Sequence, residues 1–218
     1  MHRSGTSFLV GSLQQHGLFL GKHHTYNKFN LRGNRENQDI WDLHDAILSS
    51  SGGSWDVPPS EVEWRAGHFD RAREVLAEYA EHPVWGFKDP RTLLTLKGWR
   101  ELVPDLELVG IFRHPLRVAD SLRRRNDMPL EQSLGLWLEY TRRLLEAKTQ
   151  RPFPILSFDD VGPVLREKLL EVVERLDLNP ESTEDPFFAD ELRQADSEGG
   201  RLPEDVESLY EALQEQAL

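Results

Sequence analysis

The sequence predicts an α/β fold built on a parallel sheet. Two observations carry that prediction. Short apolar runs recur along the chain, and segments with apolar residues at helical spacing stand between them. The run "LELVGIF" is nearly continuous in apolar residues, as a strand covered on both faces requires.

Taken in order, Phe8 to about His16 reads as a helix closed by Gly17. Ile40, Leu43, His44 and Ile47 recur at helical spacing. "SSSGGSWDVPPS" is a loop, rich in glycine, serine and proline. Ser60 followed by Glu63 is a capping-box signature, expected to start a helix with Phe69, Leu76 and Tyr79 on its buried stripe. "VWGFK" predicts a short strand and "LELVGIF" a stronger one. "PLRVADSLRRRN" begins a helix with proline in its first turn. Leu130, Leu134, Trp137, Thr141 and Leu144 mark a longer helix, "FPILSF" a third strand, and Leu165, Leu169, Val172 and Leu176 a further helix. The tail after Asn179 is acidic and punctuated by proline, and it ends in a helix carrying Val206, Leu209, Tyr210 and Leu213. Residues 1–180 read as one domain, and 181–218 as an acidic helical extension packed on it.

The chain has 218 residues, 38% of them hydrophobic, enough for one domain with a sizeable core. It has no cysteine, which excludes disulfides, thiolate catalysis and cysteine-ligated metals. No apolar run approaches the roughly 20 residues that span a bilayer, and no signal-peptide pattern is present, so the expectation is a cytoplasmic protein without a membrane span. A net charge of −12 argues against nucleic acid as a partner. The cations concentrate locally, at Arg3, Lys88, Arg91, Arg113, Arg117 and the run Arg123, Arg124, Arg125. That run reads equally as a solvated helix face.

The opening "RSGTS" lies just ahead of a helix. Arg3, Ser4, Gly5, Thr6 and Ser7 supply a guanidinium, hydroxyls, backbone N–H groups and a helix N-terminus, the parts of a phosphate or sulfate site. Gly5 allows the backbone close to the anion. A plain N-cap by Ser4 or Thr6 is the structural alternative. The Gly-Lys-Ser/Thr ending of the nucleotide-triphosphatase loop is absent. The strongest strand ends in Arg113, where a metal-holding carboxylate would be needed for ATP chemistry. A cation there attracts an anionic group instead.

"HRSGTS", "GFKDPRTLLTL" and "IFRHPLRVADS", in this order and spacing, resemble the sulfotransferase family that uses 3'-phosphoadenosine 5'-phosphosulfate. "NLRGNRENQDIWDLHDAIL" and "ILSFDDV" match weaker family features. The resemblance covers roughly residues 1 to 180. It implies a three-layer α/β/α fold with a central parallel sheet, and transfer of a sulfuryl group to a hydroxyl or amine acceptor without a metal. It places Arg3 to Ser7 on the 5'-phosphosulfate, and Arg113 with Ser121 on the 3'-phosphate. The family carries a β-strand before the phosphate loop, where this sequence has only Met1 and His2. The expectation is therefore either a start further upstream or a rearranged sheet, with weakened nucleotide binding by the chain as given.

Sulfuryl transfer needs positive groups where charge grows and a base for the acceptor proton. Lys88, at the end of "VWGF", matches the family's strand-end lysine, placed for the bridging oxygen. The base candidates are Glu36, then His24, with His23 and Asp89 behind them. Glu36 stands in "GNRE", where bacterial relatives show Gly-aromatic-aromatic-Glu. Asp89 fits better as an orienter of Lys88 or Arg91, or as a helix cap. Trp41, Trp55, Trp64, Trp85 and Trp137 line either a ligand site or the core. The acceptor is a small molecule, a lipid or a glycan, shaped by the segment from His23 to about His68. A P-loop kinase and a sulfotransferase-like protein that binds nucleotide without turnover are the alternatives.

Overall fold

A computed structural model describes residues 1–26, 33–179 and 200–218. The start of "NLRGNREN" and the acidic linker after Asn179 lie outside the described residues. In chain order the elements are α1 (Thr6–Gln15), α2 (Gln38–Ser50), α3 (Ala66–Ala77), α4 (Thr92–Leu102), β1 (Gly110–Phe112), α5 (Pro115–Asn126), α6 (Leu130–Gln150), β2 (Ile155–Ser157), α7 (Gly162–Arg175) and α8 (Glu204–Glu215). They divide into two compact units, one of Met1–His16 with Leu108–Leu218, the other of Gly17–Glu107.

The Gly17–Glu107 unit is helical. Ile40, Leu43 and Ile47 of α2 meet Ala72 and Val75 of α3, Tyr79, and Trp99 of α4 in a buried cluster. These apolar positions recur at i, i+3 and i+7, so α2 turns one stripe inward. Its start is fixed by Asn37, whose side chain accepts from the Asp39 N–H at 2.9 Å. The expected capping box at Ser60 and Glu63 does not form. The helix begins five residues later, where the Arg65 N–H donates to His68 Nδ1 at 3.1 Å, and Glu63 is drawn aside by a bond from its N–H to Ser51 Oγ. Leu76 lies half-buried and Tyr79 fully buried beyond the helix end.

The other unit holds a parallel pair. β1 and β2 run in register Gly110↔Ile155, Ile111↔Leu156 and Phe112↔Ser157, all six residues buried. α5 packs on α6, α6 on α8, and α7 on β2. The Leu218 N–H donates to the Ile155 carbonyl at 2.9 Å, tying the segment after α8 to β2.

The three-layer α/β/α arrangement is not what forms. Among the described residues the sheet has two strands of three residues each, and helix dominates. Two causes are visible. The apolar run "LELVGIF" divides: Leu106 packs into the helical cluster around Trp99, which leaves Gly110–Phe112 to pair. "VWGFK" makes a single parallel bridge, Trp85 to Phe19, because Trp85 and Phe87 instead turn their rings to Tyr79 and Trp99. Among the described residues no helix is long and apolar enough to cross a membrane.

Candidate functional site

The opening loop is left-handed at Arg3, with φ 64, and at Gly5, with φ 90. Gly5 precedes α1 with no side-chain cap, so the helix N-terminus opens onto the loop. The position demands glycine twice over. Its φ is left-handed, and a Cβ there would stand 2.5 Å from the Phe158 ring. Ser4 is buried, and among the described residues its Oγ has no hydrogen-bond partner.

Arg113 leaves the carboxyl end of β1, where ligands gather in parallel sheets. Its backbone carbonyl accepts from Trp137 Nε1 at 3.1 Å, which anchors the residue from α6. Its guanidinium lies over the Phe158 ring, 5.3 Å from the centroid. Phe158 thus floors both the loop glycine and the strand-end arginine, and Phe8 of α1 packs against it at 5.4 Å. Only 7% of Arg113 is exposed, and its Nε stands 3.7 Å from Asp159 Oδ1, an ion-pair distance too long for a hydrogen bond.

Ser121 lies two turns into α5 and accepts from Arg3 Nε at 2.7 Å. The loop and the strand-end motif therefore form one cationic cluster, not two separate pockets. Burial first, and then Arg125, Arg113 and Arg124, push the Arg3 guanidinium down to about 10. Burial likewise lowers Arg113, with Arg117 and Arg124 adding to it and Asp159 opposing. Arg124 and Arg125 thus act on the cluster, whereas Arg123 pairs with Asp120 at 3.3 Å on the surface. Asp159 accepts from Arg117 Nη1 at 2.9 Å and from the His114 N–H at 2.5 Å. Among the described residues, a set of guanidinium groups against the Asp159 carboxylate, with Ser4 Oγ and Arg113 Nε unsatisfied, fits an anionic ligand.

The Gly17–Glu107 unit holds the remaining candidates. Lys88 Nζ donates to Glu36 Oε1 at 2.7 Å, with their side chains 10% and 14% exposed. Glu36 Oε2 accepts from Asn34 at 3.5 Å. Burial lowers the Lys88 ammonium, although Glu36 opposes it. His24 is exposed, and its backbone pairs with Arg35 and Glu36. His23 is the engaged imidazole: its Nδ1–H donates to the Gly21 carbonyl at 2.8 Å, and its Nε2 accepts from Arg35 at 3.1 Å.

Asp89 orients Arg91, accepting from its N–H at 2.8 Å and from Nη1 at 2.7 Å. His44 Nδ1 approaches the same carboxylate at 3.3 Å, and His44 Nε2 accepts from Trp99 Nε1 at 2.8 Å. Indole nitrogen only donates, so the His44 proton sits on Nδ1, facing Asp89. Burial alone would raise Asp89; His44 and Arg91 outweigh it and hold the carboxyl well below the usual range. Of the tryptophans, Trp99 and Trp137 are fully buried, while Trp41 lies 4.9 Å beneath the Arg91 guanidinium.

Sequence reasoning missed Asp159, Phe158 and Tyr210 as parts of the cluster. The signal for the first two was present, an aromatic and two carboxylates closing the apolar strand in "ILSFDD". Tyr210 of α8 stands edge-on to His114 at 5.0 Å, a contact between residues 96 positions apart (210 − 114) that no local pattern records. Among the described residues no three His, Asp or Glu side chains gather as a metal site. No known protein family, characterised protein or solved structure matches this chain.

Proposed function

We propose that the chain is a sulfotransferase that binds 3'-phosphoadenosine 5'-phosphosulfate through the arginine cluster and passes its sulfuryl group to a hydroxyl or amine acceptor. The observation that carries the reading is the Arg3–Ser121 bond, which joins the phosphate loop to the Arg113 motif in one half-buried, anion-seeking cluster of an acidic protein. The reading stands on these residues and not on the fold, whose sheet is smaller than the resemblance implied. In it, Ser4 to Ser7 and Arg3 hold the phosphosulfate end, and Arg113 with Ser121 the 3'-phosphate. The bound donor supplies an activated sulfuryl group whose leaving oxygen carries growing charge. The resemblance gives Lys88 the role of the cation and Glu36 that of the base, and the two side chains are bonded to each other at 2.7 Å. The acceptor is a small molecule, a lipid or a glycan, and the reading needs no metal.

Thermal shift in 3'-phosphoadenosine 5'-phosphate, compared with ADP and with ATP plus magnesium, tests the binding half. Selective stabilisation by the bisphosphate is expected, and equal or greater stabilisation by ATP overturns it. Transfer of sulfur-35 to acceptors tests the chemistry, with Lys88→Ala expected to abolish transfer while nucleotide affinity changes far less. One observation favours a second reading, a nucleotide-binding protein without turnover: Lys88 is already engaged by Glu36. Bisphosphate binding with no sulfur-35 transfer to any acceptor selects that reading.

A further inference from the structure

Among the described residues Asp159 is the carboxylate set within the arginine cluster, and its place is unusual. Its Oδ2 accepts the His114 N–H, the N-cap amide of α5, and its Oδ1 accepts from Arg117. The same Oδ1 stands 3.7 Å from Arg113 Nε, which among the described residues has no hydrogen-bond partner. The carboxylate therefore sits where a helix N-terminus and two guanidinium groups would hold an anion, and it is fixed there from the backbone. The His114 imidazole, lowered by burial with Asp159 opposing, Tyr210 from α8, and Asp160, itself held by Lys168 of α7 at 2.7 Å, are further ionisable groups around it.

A ligand oxygen that completes Arg113 Nε must come close to Asp159. Each carboxylate oxygen keeps a second lone pair, and it can only accept. A sulfuryl oxygen also only accepts, so the two repel. A phosphate monoester has its second pKa near 6 and so retains a proton at modest cost. That proton turns the repulsion into a charge-assisted hydrogen bond.

We propose that Asp159 makes the Arg113 end of the cluster selective for a proton-bearing phosphate monoester and closes it to a sulfuryl group. This rests on the nucleotide-binding reading above and deepens it. Of the two anionic ends of the donor, the 3'-phosphate is directed to Arg113 and Asp159, and the sulfuryl end is left for the loop at Ser4. Asp159 acts as a specificity-determining residue rather than a general counter-ion.

Calorimetric titration of the full chain and of Asp159→Asn with inorganic phosphate, with sulfate and with 3'-phosphoadenosine 5'-phosphate, at one ionic strength, tests this. The native chain should prefer phosphate over sulfate by about tenfold or more, the worth of one hydrogen bond to a charged group. Asp159→Asn should gain sulfate affinity and lose that preference. Equal affinity for the two ions in the native chain, or an unchanged ratio in the variant, overturns the inference. If the bisphosphate binds while phosphate and sulfate are not distinguished, selectivity alone falls; if neither ion nor the bisphosphate binds, the nucleotide reading falls with it. Should the variant fail to fold, the native chain still decides: arsenate, which keeps a proton near neutral pH, must follow phosphate, and selenate, which does not, must follow sulfate. Selenate binding as tightly as arsenate overturns the inference.

Discussion

Arg3 Nε donates to Ser121 Oγ at 2.7 Å across 118 positions of sequence. A half-buried guanidinium is thus hydrogen-bonded to a neutral hydroxyl while Arg125, Arg113 and Arg124 repel it. Ser121→Ala should lower affinity for 3'-phosphoadenosine 5'-phosphate about tenfold and destabilise the fold by about 1.5–3 kcal/mol, the range for a hydrogen bond to a charged group. Calorimetry and urea denaturation of the same variant read both effects. Unchanged nucleotide affinity would separate Ser121 from the ligand.

Gly5 sets the loop against Phe158. Gly5→Ala should cost about 2–5 kcal/mol, adding a left-handed alanine to a clash with the ring. Combining it with Phe158→Ala removes the clash but not the backbone strain. The double variant should therefore lose less than the sum of the single losses, as a denaturation cycle would measure.

The Lys88–Glu36 pair is nearly buried, so removing one partner strands the other. Glu36→Gln should cost about 3–5 kcal/mol in urea unfolding, and Lys88→Met with Glu36→Leu should recover most of that loss. Because burial lowers the Lys88 ammonium, its unfolded form binds the proton more readily. Native stability should therefore rise as pH climbs from the lowered value toward the ordinary lysine range, a trend the double variant should lack.

Asp89 is held well below the usual carboxyl range in the folded state. Its contribution is fully present above the unfolded value of about 3.9 and is lost as pH falls below it. Asp89→Asn should lower stability at pH 7 by about 3–5 kcal/mol and flatten the acid limb of the stability curve. An acid limb as steep as that of the native chain would show that other carboxylates govern it.

Several helices were legible because their apolar stripes are local and periodic. Leu134, Trp137 and Thr141 of α6 are buried as their spacing requires, although Leu130 of the same stripe is exposed, and α4 was not read from the sequence. The sheet was not legible, because an apolar run does not say what will cover it. Leu106 and Ile111 stand in one run and join different cores. Of the cluster, Arg3, Ser4, Gly5, Arg113 and Ser121 were visible through motif spacing. What spacing concealed was that Arg3 and Ser121 touch, and that an acid 46 residues past Arg113 (159 − 113) would stand beside it.

One unit of the chain is continuous and the other is not. On the ribosome, Gly17–Glu107 is fully translated before its discontinuous counterpart has its second half. At about 5–20 residues per second, Ser121 emerges roughly 6–24 s after Arg3. Phe158 follows roughly 8–31 s after Arg3 at the same rate, and until then the opening loop is a nascent segment without its floor. A translational pause or truncation before Phe158 should yield chains with a folded helical core and no anion affinity.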